Sequence, residues 1–381
     1  MIDFSKELNE EQYRVVTAEP GPLLVIAGAG SGKTRTLTYR VAWLLEKGVP
    51  PDSILLATFT NKAARSMLSR VEGLVGEQAR EVWGGTFHSL GNRILRRHAR
   101  RMGYESNYSI LDRDDAQQLV ASSIVEAGIT TKSDRFPKAA QLLDIISLAA
   151  NTSIPLEKVL LERFPSTAPF VTDILKVAFR YRLRKQELNV MDFDDLLLKW
   201  YDLLAEHDDI REEYAEKFQH ILVDEYQDTN IIQAKILDIL SSRHGNIMVV
   251  GDDSQSIYSF RGADYRNILS FPKRYAGSRI FKLETNYRST PPILNLANLS
   301  IINNQRQYEK QLRAVRSGGV RPVYAPLVDA SHQADFVVRR ILELADEGVP
   351  LDEIAVLYRA HHHAMELQME LVKLKQAWGG K

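Results

Sequence analysis

The stretch that decides the fold is AGAGSGKT, residues 27–34. The apolar run LLVIA at residues 23–27 leads into it, and residues 34–46 follow with apolar side chains at helical spacing. Strand, glycine-rich loop and helix in this order predict the first unit of a parallel α/β sheet. A chance glycine-rich turn is the alternative, and the strand before it and the helix after it disfavour that interpretation.

The loop fits the phosphate-binding pattern G-x-x-x-x-G-K-[ST] except at its first position, where Ala27 replaces glycine. Its glycines let the backbone turn tightly and point N–H groups at phosphate oxygens, and the following helix adds its positive end. Lys33 would reach the terminal phosphates, and Thr34 would ligate Mg²⁺. The candidate nucleotide-binding residues of the loop are Ala27, Gly28, Ala29, Gly30, Ser31, Gly32, Lys33 and Thr34.

A phosphate loop needs an acidic partner, and VDEYQD at residues 223–228 follows a strand-like run. Acids at the carboxyl end of a strand lie where open α/β sheets bind ligands. We expect Asp224 to hold Mg²⁺ and Glu225 to orient or deprotonate the attacking water. An isolated Asp-Glu pair is more often a solvated turn, so this prediction depends on the strand and on the upstream loop.

The coarse pattern is an α/β sheet interrupted by a helical block. From about residue 91 to residue 207 we find no convincing strand, and the block is interpreted as an inserted domain. Strands are predicted at 23–27, 54–59, 82–87, 220–224, 246–250 and 279–283, and again at 321–325 and 353–358. Helices are predicted at 34–46, 62–75, 115–127, 138–149, 156–163, 171–185, 192–204 and 333–347.

Composition excludes several classes of protein. The 381 residues suggest two or three domains, and the absence of cysteine excludes disulfides, thiolate zinc sites and cysteine nucleophiles. No long apolar run is found, so we expect no membrane span and a cytoplasmic location. Lys+Arg and Asp+Glu number 49 each, so any nucleic-acid site must be local. The basic runs at 93–101 and 180–185 are either such sites or solvated helix faces.

Several further motifs, in order, resemble superfamily 1 DNA helicases of the UvrD/Rep/PcrA type. The segments VVGDDSQSIYSFRGA at 249–263 and ETNYRS at 284–289 carry most of that resemblance, together with the loop and VDEYQD. Weaker matches are LNEEQ at 8–12, TFTNKAARSM at 58–67, GTFHSL at 85–90 and IAVLYRA at 354–360. Tyr226 stands where that family commonly has Phe.

The resemblance implies roles for residues around the nucleotide. Gln12 would read the adenine edge, and Tyr287 would stack on the adenine. Arg35 would lie near the nucleotide. Gln255 would touch the γ-phosphate or the attacking water and couple it to DNA, and Arg288 would act as an arginine finger. The implied ligands are ATP, Mg²⁺, single-stranded DNA and junctions of single- and double-stranded DNA.

The resemblance also implies a path for single-stranded DNA. Phe59, Tyr258 and Phe260 would stack on bases, which is a sequence-tolerant interaction. Taken alone, Phe59 and Phe260 are more typical of core aromatics, and His88 could equally be a structural histidine. Weaker candidates for DNA contact or coupling are Asn61, His88 and Arg261.

The implied fold is a P-loop RecA-like parallel sheet with an inserted all-helical domain and the beginning of a second RecA-like domain. We expect the first motor domain at 1–90 plus 191–285, the helical insertion at 91–190 and the second motor domain from 286. Full-length members are longer, and a later motif with a second arginine finger is not found here. A truncated helicase with 3′→5′ polarity and weak or no unwinding is therefore expected.

Two other functions fit parts of this sequence. A binding module for ATP and single-stranded DNA, without turnover, would modulate a full-length helicase. The presence of Glu225, Gln255 and Arg288 favours the enzyme instead. An unrelated P-loop kinase or transporter ATPase is disfavoured by the segments at 249–263 and 284–289.

Overall fold

The computed structural model describes residues 2–129 and 136–378, with the side chains of Arg261 and of residues 374–378 outside that description. The chain forms two compact units that divide after Gly319. Within the described ranges, no helix is both long enough and apolar enough to cross a membrane.

The strands begin with the predicted run before the glycine-rich loop. In chain order they are β1 (Leu23–Ala27), β2 (Ile54–Thr58), β3 (Trp83–Thr86), β4 (Ser109–Ile110), β5 (Val190–Met191), β6 (His220–Val223), β7 (Ile247–Gly251), β8 (Arg279–Leu283), β9 (Thr285–Asn286) and β10 (Arg313–Ala314).

Helices fill most of the remaining described chain. They are α1 (Phe4–Glu7), α2 (Glu10–Val16), α3 (Lys33–Glu46), α4 (Asn61–Val75), α5 (Phe87–His98), α6 (Arg113–Glu126), α7 (Ala139–Thr152), α8 (Leu156–Arg163), α9 (Val171–Glu187), α10 (Phe193–Glu206), α11 (Asp208–Lys217), α12 (Ile231–Leu240), α13 (Arg266–Arg274), α14 (Pro291–Ile301), α15 (Ala330–Asp346) and α16 (Met365–Trp378).

A six-stranded parallel sheet forms the centre of the first unit, in the order β3-β2-β6-β7-β1-β8. Alternate side chains of β1 enter two different cores. Leu24 and Ile26 pack with residues of α5, α10 and α12, and Leu23 and Val25 pack with residues of α3 and α4. Helices covering both faces explain why the central strands are continuously apolar. The predicted α/β class is confirmed.

The sheet order brings distant parts of the sequence to one edge. Strands β6, β7 and β1 are neighbours, and all three run in the same direction. Asp224 directly follows β6, Asp252 directly follows β7, and the glycine-rich loop follows β1. The carboxyl ends of parallel strands are where such sheets bind ligands.

Helices α6–α9 have a core of their own, which includes Val120, Leu142, Leu160 and Val177. The five helices predicted in the helical block are present, with ends that differ by a few residues. The prediction that residues 91–207 contain no strand was wrong. Strands β4 and β5 pair there in parallel, at the two ends of α6–α9. Each has two residues, too few to produce an alternating pattern.

The second unit contains α15 and α16, and the helix predicted at 333–347 is confirmed as α15. The strands predicted at 321–325 and 353–358 are not formed. A strand requires a hydrogen-bonded neighbour, and neither segment has a ladder partner within the described residues. Val323 is 86% exposed and Leu357 is 93% exposed, so apolar composition alone did not produce a sheet.

Candidate functional site

The glycine-rich loop turns sharply between β1 and α3. Gly30 and Gly32 have φ values of 74° and 87°, which favour glycine. The Ser31 hydroxyl donates to the Gly28 carbonyl at 2.8 Å and closes the turn. A Cβ at Gly32 would lie 2.5 Å from Nε2 of Gln12, so space also requires glycine there. Helix α3 starts at Lys33, and its N-terminal end faces the loop.

Lys33 and Glu225 meet although they are distant in sequence. Lys33 Nζ donates to Glu225 Oε2 at 2.9 Å, and the Lys33 side chain is 11% exposed. Glu225 has a φ of 49°, a left-handed conformation that non-glycine residues rarely adopt. Backbone strain of this kind clusters at functional sites, and here it turns the carboxylate toward the loop.

Asp224 lies at the end of β6 and is 6% exposed. Burial first, and then the neighbouring Glu225 carboxylate, raise the pKa of Asp224 to about 7, while the charge of Lys33 lowers it. Its Oδ1 is buried and accepts no hydrogen bond from the described residues. Carboxylate oxygens are the ligands that Mg²⁺ prefers, so this unpaired oxygen fits a metal ligand.

The segment after β8 packs directly against the glycine-rich loop. Asn286 Nδ2 donates to the Ala29 carbonyl at 2.5 Å, and the Tyr287 backbone N–H donates to the Gly30 carbonyl at 2.9 Å. Asn286 Oδ1 accepts from the backbone N–H groups of Arg288 and Ser289 at 2.9 and 2.7 Å. Asn286 therefore fixes the turn that places Arg288 beside the loop.

Gln12 and Asn9 form the opposite wall. Asn9 caps α2 and accepts from the Gln12 backbone N–H at 2.7 Å. Gln12 Nε2 donates to the Ser31 carbonyl at 3.1 Å, and Asn9 Nδ2 donates to the Tyr287 hydroxyl at 2.7 Å. Together these contacts hold Tyr287, which is 43% exposed, across from α2.

These elements enclose a cleft of about 860 Å³. Most of the residues predicted to bind nucleotide, to act in its hydrolysis or to hold Mg²⁺ line it, and the exceptions are Ala27, Gly28, Ser31 and Asp224. The lining consists of Glu7, Asn9, Gln12, Ala29, Gly30, Gly32, Lys33, Thr34, Arg35, Arg70, Glu225, Gln255, Tyr287 and Arg288.

A second cavity of about 700 Å³ lies between the helical block and the sheet. The rings of Phe59 and Tyr258 have centroids 5.1 Å apart, and those of Tyr258 and Phe260 are 6.1 Å apart. Phe59 is 38% exposed and Phe260 is 65% exposed, so neither is a core aromatic. His88 lines the same groove, where burial lowers its pKa. A neutral histidine is expected there at neutral pH.

Comparison with known proteins decides the family. The family description "UvrD/REP helicase N-terminal domain" matches residues 8–276, and "UvrD-like helicase C-terminal domain" matches residues 281–376. This chain belongs to the UvrD/REP helicase family. Its predicted resemblance to that family is confirmed.

Curated relatives include the ATP-dependent DNA helicases PcrA of Staphylococcus epidermidis and Staphylococcus aureus. The first is 41% identical over 369 residues, which is 97% of this chain and 50% of the relative. The second is 40% identical over 367 residues, which is 96% of this chain and 50% of the relative. The chain thus spans about half the length of the curated relatives that it matches.

Some residues predicted for the UvrD/REP site do not line either cavity. Ala27 ends β1 and Gly28 and Ser31 close the turn, so they shape the loop rather than face the cleft. Asn61 is the first residue of α4 and is exposed outside the groove lining. The side chain of Arg261 lies outside the described residues. The roles predicted for these residues stay predictions.

Arg35 lines the cleft, but its guanidinium group is already hydrogen-bonded to Glu7. Its Nη2 donates to the Glu7 carbonyl at 2.7 Å and to Glu7 Oε2 at 2.8 Å. The guanidinium also lies 4.6 Å from the ring centre of Tyr39. Arg35 thus joins α1 to α3 at the rim of the cleft.

Sequence reasoning missed the buried amide Gln227, although VDEYQD contains it. Gln227 Nε2 donates to Glu225 Oε2 at 2.9 Å and to Asp228 Oδ2 at 3.2 Å. Its Oε1 accepts from the backbone N–H of Asp252 at 2.9 Å. The only available signal was its position between the acids of that motif.

Lys310 was missed entirely. Its Nζ lies 2.8 Å from Asp252 Oδ1, 2.9 Å from Asp253 Oδ1 and 2.8 Å from the Ser254 hydroxyl. Burial by itself lowers the pKa of Lys310, but the two carboxylates outweigh it and the pKa is raised. Gln255 directly follows Ser254 in the chain, and its Nε2 donates to Asp252 Oδ2 at 2.5 Å. Lys310 therefore anchors the segment that places Gln255 in the cleft.

Proposed function

We propose that this chain provides the ATP site of a DNA helicase and translocase that moves 3′→5′ on single-stranded DNA in repair or replication. Its substrates are single strands and their junctions with duplex DNA. The observation that carries the proposal is that Glu225 lines the cleft and Asp228, three residues later, lines the aromatic groove. One short segment thus belongs to a phosphate site and to a base-stacking site.

Each side chain of the cleft has a separate task in ATP hydrolysis. Lys33 and Arg288 stabilise the negative charge that develops on the transferred phosphoryl group. Glu225 orients the attacking water and accepts its proton. Gln255 contacts the γ-phosphate or that water. In the described structure Lys33 holds Glu225 at 2.9 Å, so an entering phosphate competes with Glu225 for the ammonium group.

Thr34 and Asp224 would hold Mg²⁺, which neutralises charge on the phosphates when bound. The unpaired, buried Oδ1 of Asp224 supports that assignment. Tyr287 stacks on the adenine, and Gln12 lies at its edge. Gln12 Nε2 donates to the Ser31 carbonyl at 3.1 Å, and its Oε1 accepts from the Asn9 backbone N–H at 3.4 Å, which leaves one lone pair of Oε1 for an adenine amino group.

The domain assignment is part of the same proposal. Residues 1–90 and 191–285 form the first motor domain, 91–190 the helical insertion, and 286–381 the start of the second motor domain. The separate core of α6–α9 supports an insertion that folds around its own apolar side chains. A cytoplasmic location stays a prediction.

The test is ATP hydrolysis by the purified 381-residue chain with and without a dT oligonucleotide. We expect slow hydrolysis that the oligonucleotide stimulates, and little or no unwinding of a forked duplex. An arginine finger contributes about 10³–10⁵ to the rate in other phosphate-loop enzymes. Lys33→Ala should abolish hydrolysis, because it removes the cation that contacts the terminal phosphates.

Two results would contradict the proposal in different ways. Binding of both ATP and dT without turnover would identify a binding module that modulates a full-length helicase. Efficient unwinding by the 381-residue chain would show that the expectation of weak activity is wrong.

A further inference from the structure

Gln227 is a buried side chain whose hydrogen bonds reach both candidate sites. It is 1% exposed. Its Nε2 donates to Glu225 at 2.9 Å and to Asp228 at 3.2 Å, and its Oε1 accepts from the Asp252 backbone at 2.9 Å. The opposite amide orientation would set Oε1 against two carboxylates and Nε2 against an N–H group. Chemistry therefore fixes one orientation of this amide.

Asp228 is the partner of Gln227 on the groove side. It is 8% exposed and lines the groove with Phe59 and Tyr258. Its Oδ2 accepts from Gln227, and its buried Oδ1 has no hydrogen-bond partner among the described residues. A buried acceptor without a partner favours any donor that enters the groove, such as the N3–H of a thymine or the amino group of another DNA base.

Gly251 has no side chain, and the Gln227 amide occupies the space beside it. A Cβ at Gly251 would lie 2.6 Å from Gln227 Oε1 and 3.0 Å from the Ile268 side chain. The φ of Gly251 is not in the left-handed region, so space and not backbone conformation requires glycine. The end of β7 is thus shaped to receive this amide.

We propose that Gln227 is the positioning residue that transmits the presence of single-stranded DNA to the catalytic base Glu225. The inference rests on the proposed function. Without a strand, one N–H of the amide goes to Glu225 and the other to Asp228 Oδ2, while Asp228 Oδ1 has no partner among the described residues. A donor from the strand at Oδ1 draws charge away from Oδ2, so the amide shifts towards Glu225 and holds it in the orientation that hydrolysis needs.

The variants are Gln227→Met, which keeps the size and removes every hydrogen bond, and Gln227→Glu, which keeps the shape and removes the donors. We expect stimulation of kcat by a dT oligonucleotide to fall about tenfold, within the usual range of coupling between sites. The KM for ATP and the Kd for dT should each change less than about threefold, because Gln227 lies behind both sites. Purely structural damage would lower stimulated and unstimulated rates in the same proportion.

Two other variants separate this effect from loss of folding. Gly251→Ala displaces Gln227 without changing it, and should also reduce the stimulation. Asn267→Leu removes another buried amide, whose Nδ2 donates to the Thr229 carbonyl at 2.9 Å. It should lower the melting temperature and keep the stimulation ratio.

The outcomes distinguish the inference from the proposed function. An unchanged stimulation ratio in folded Gln227→Met or Gly251→Ala overturns the inference alone. If the unsubstituted chain binds ATP and dT without turnover, Gln227 has no stimulation to transmit, and the inference is overturned together with the proposed enzyme. A chain that binds neither ligand overturns both.

Discussion

The roles of single residues were predictable where residue type and spacing form a motif of known chemistry. Lys33, Asp224 and Glu225 were predicted from residue type and spacing, and the structure brings all three to one sheet edge. Gln227 and Asn286 lie within quoted motifs, yet their roles were not predicted. Every Asn or Gln amide has the same donors and acceptor. Its role therefore depends on which groups the fold places around it.

Stacking in the groove is tested at Phe59. Replacing Phe59 with Ala should weaken binding of a dT oligonucleotide by about 1–3 kcal/mol, which is the usual value of one base–aromatic stack. The KM for ATP should stay unchanged, because Phe59 does not line the cleft. Fluorescence anisotropy with labelled dT measures the affinity.

The matched control is Phe179→Ala, because Phe179 is 62% exposed on α9 and lies outside the groove lining. It should leave the affinity for dT unchanged. Equal losses from the two substitutions would contradict a stacking role for Phe59.

Helices and strands were predictable where the sequence of the segment itself shows how the segment is buried. The continuously apolar runs that became β1, β2, β6 and β7 are buried on both faces, and their composition shows it. The strands predicted at 321–325 and 353–358 have similar composition but no hydrogen-bonded neighbour. A strand forms only beside a hydrogen-bonded neighbour, and the sequence of one segment does not specify which segment that neighbour is.

Lys310 joins the segment after α14 to the loop after β7, and Lys310→Met tests that link. Its side chain is 6% exposed, and its Nζ lies within 2.9 Å of the Asp252 and Asp253 carboxylates. Removing it leaves buried negative charge unpaired, so the free energy of unfolding should fall by about 3–5 kcal/mol. The rate of ATP hydrolysis should fall as well, because Asp252 accepts from Gln255. Urea unfolding and ATPase assays measure the two effects.

Lys176→Met is the control, because Lys176 pairs with Asp173 at 3.1 Å on an exposed helix face. An exposed pair is worth about 0–1 kcal/mol. If the two lysine variants lose similar stability, Lys310 does not anchor this loop.

At the scale of the whole molecule, a parallel sheet converts distance in sequence into proximity in space. The segments after β1, β6 and β7 meet because those strands are neighbours, although α3 to α11 lie between β1 and β6 in the chain. Equal numbers of acidic and basic residues mean that net charge supplies no general attraction to DNA. Any binding of DNA would therefore depend on local features such as the groove.

The two units should differ in resistance to protease. In the described part of residues 320–378, the buried side chains are few and small, namely Ala334, Val338 and Ala364. Local stability follows buried apolar area, so trypsin should cut first near the boundary, at the exposed Arg316. Mass spectrometry of a limited digest identifies the first cut.

The residues that line the cleft and the groove all precede Gly319. The large product of that first cut should therefore bind an ATP analogue and dT with affinities within about threefold of the intact chain, because its site contacts are unchanged. Saturating both ligands should not slow the first cut, since neither ligand touches the cleaved segment. Early cleavage inside α3 or α10, or loss of nucleotide binding in the product, would contradict this assignment of stability and function to the first unit.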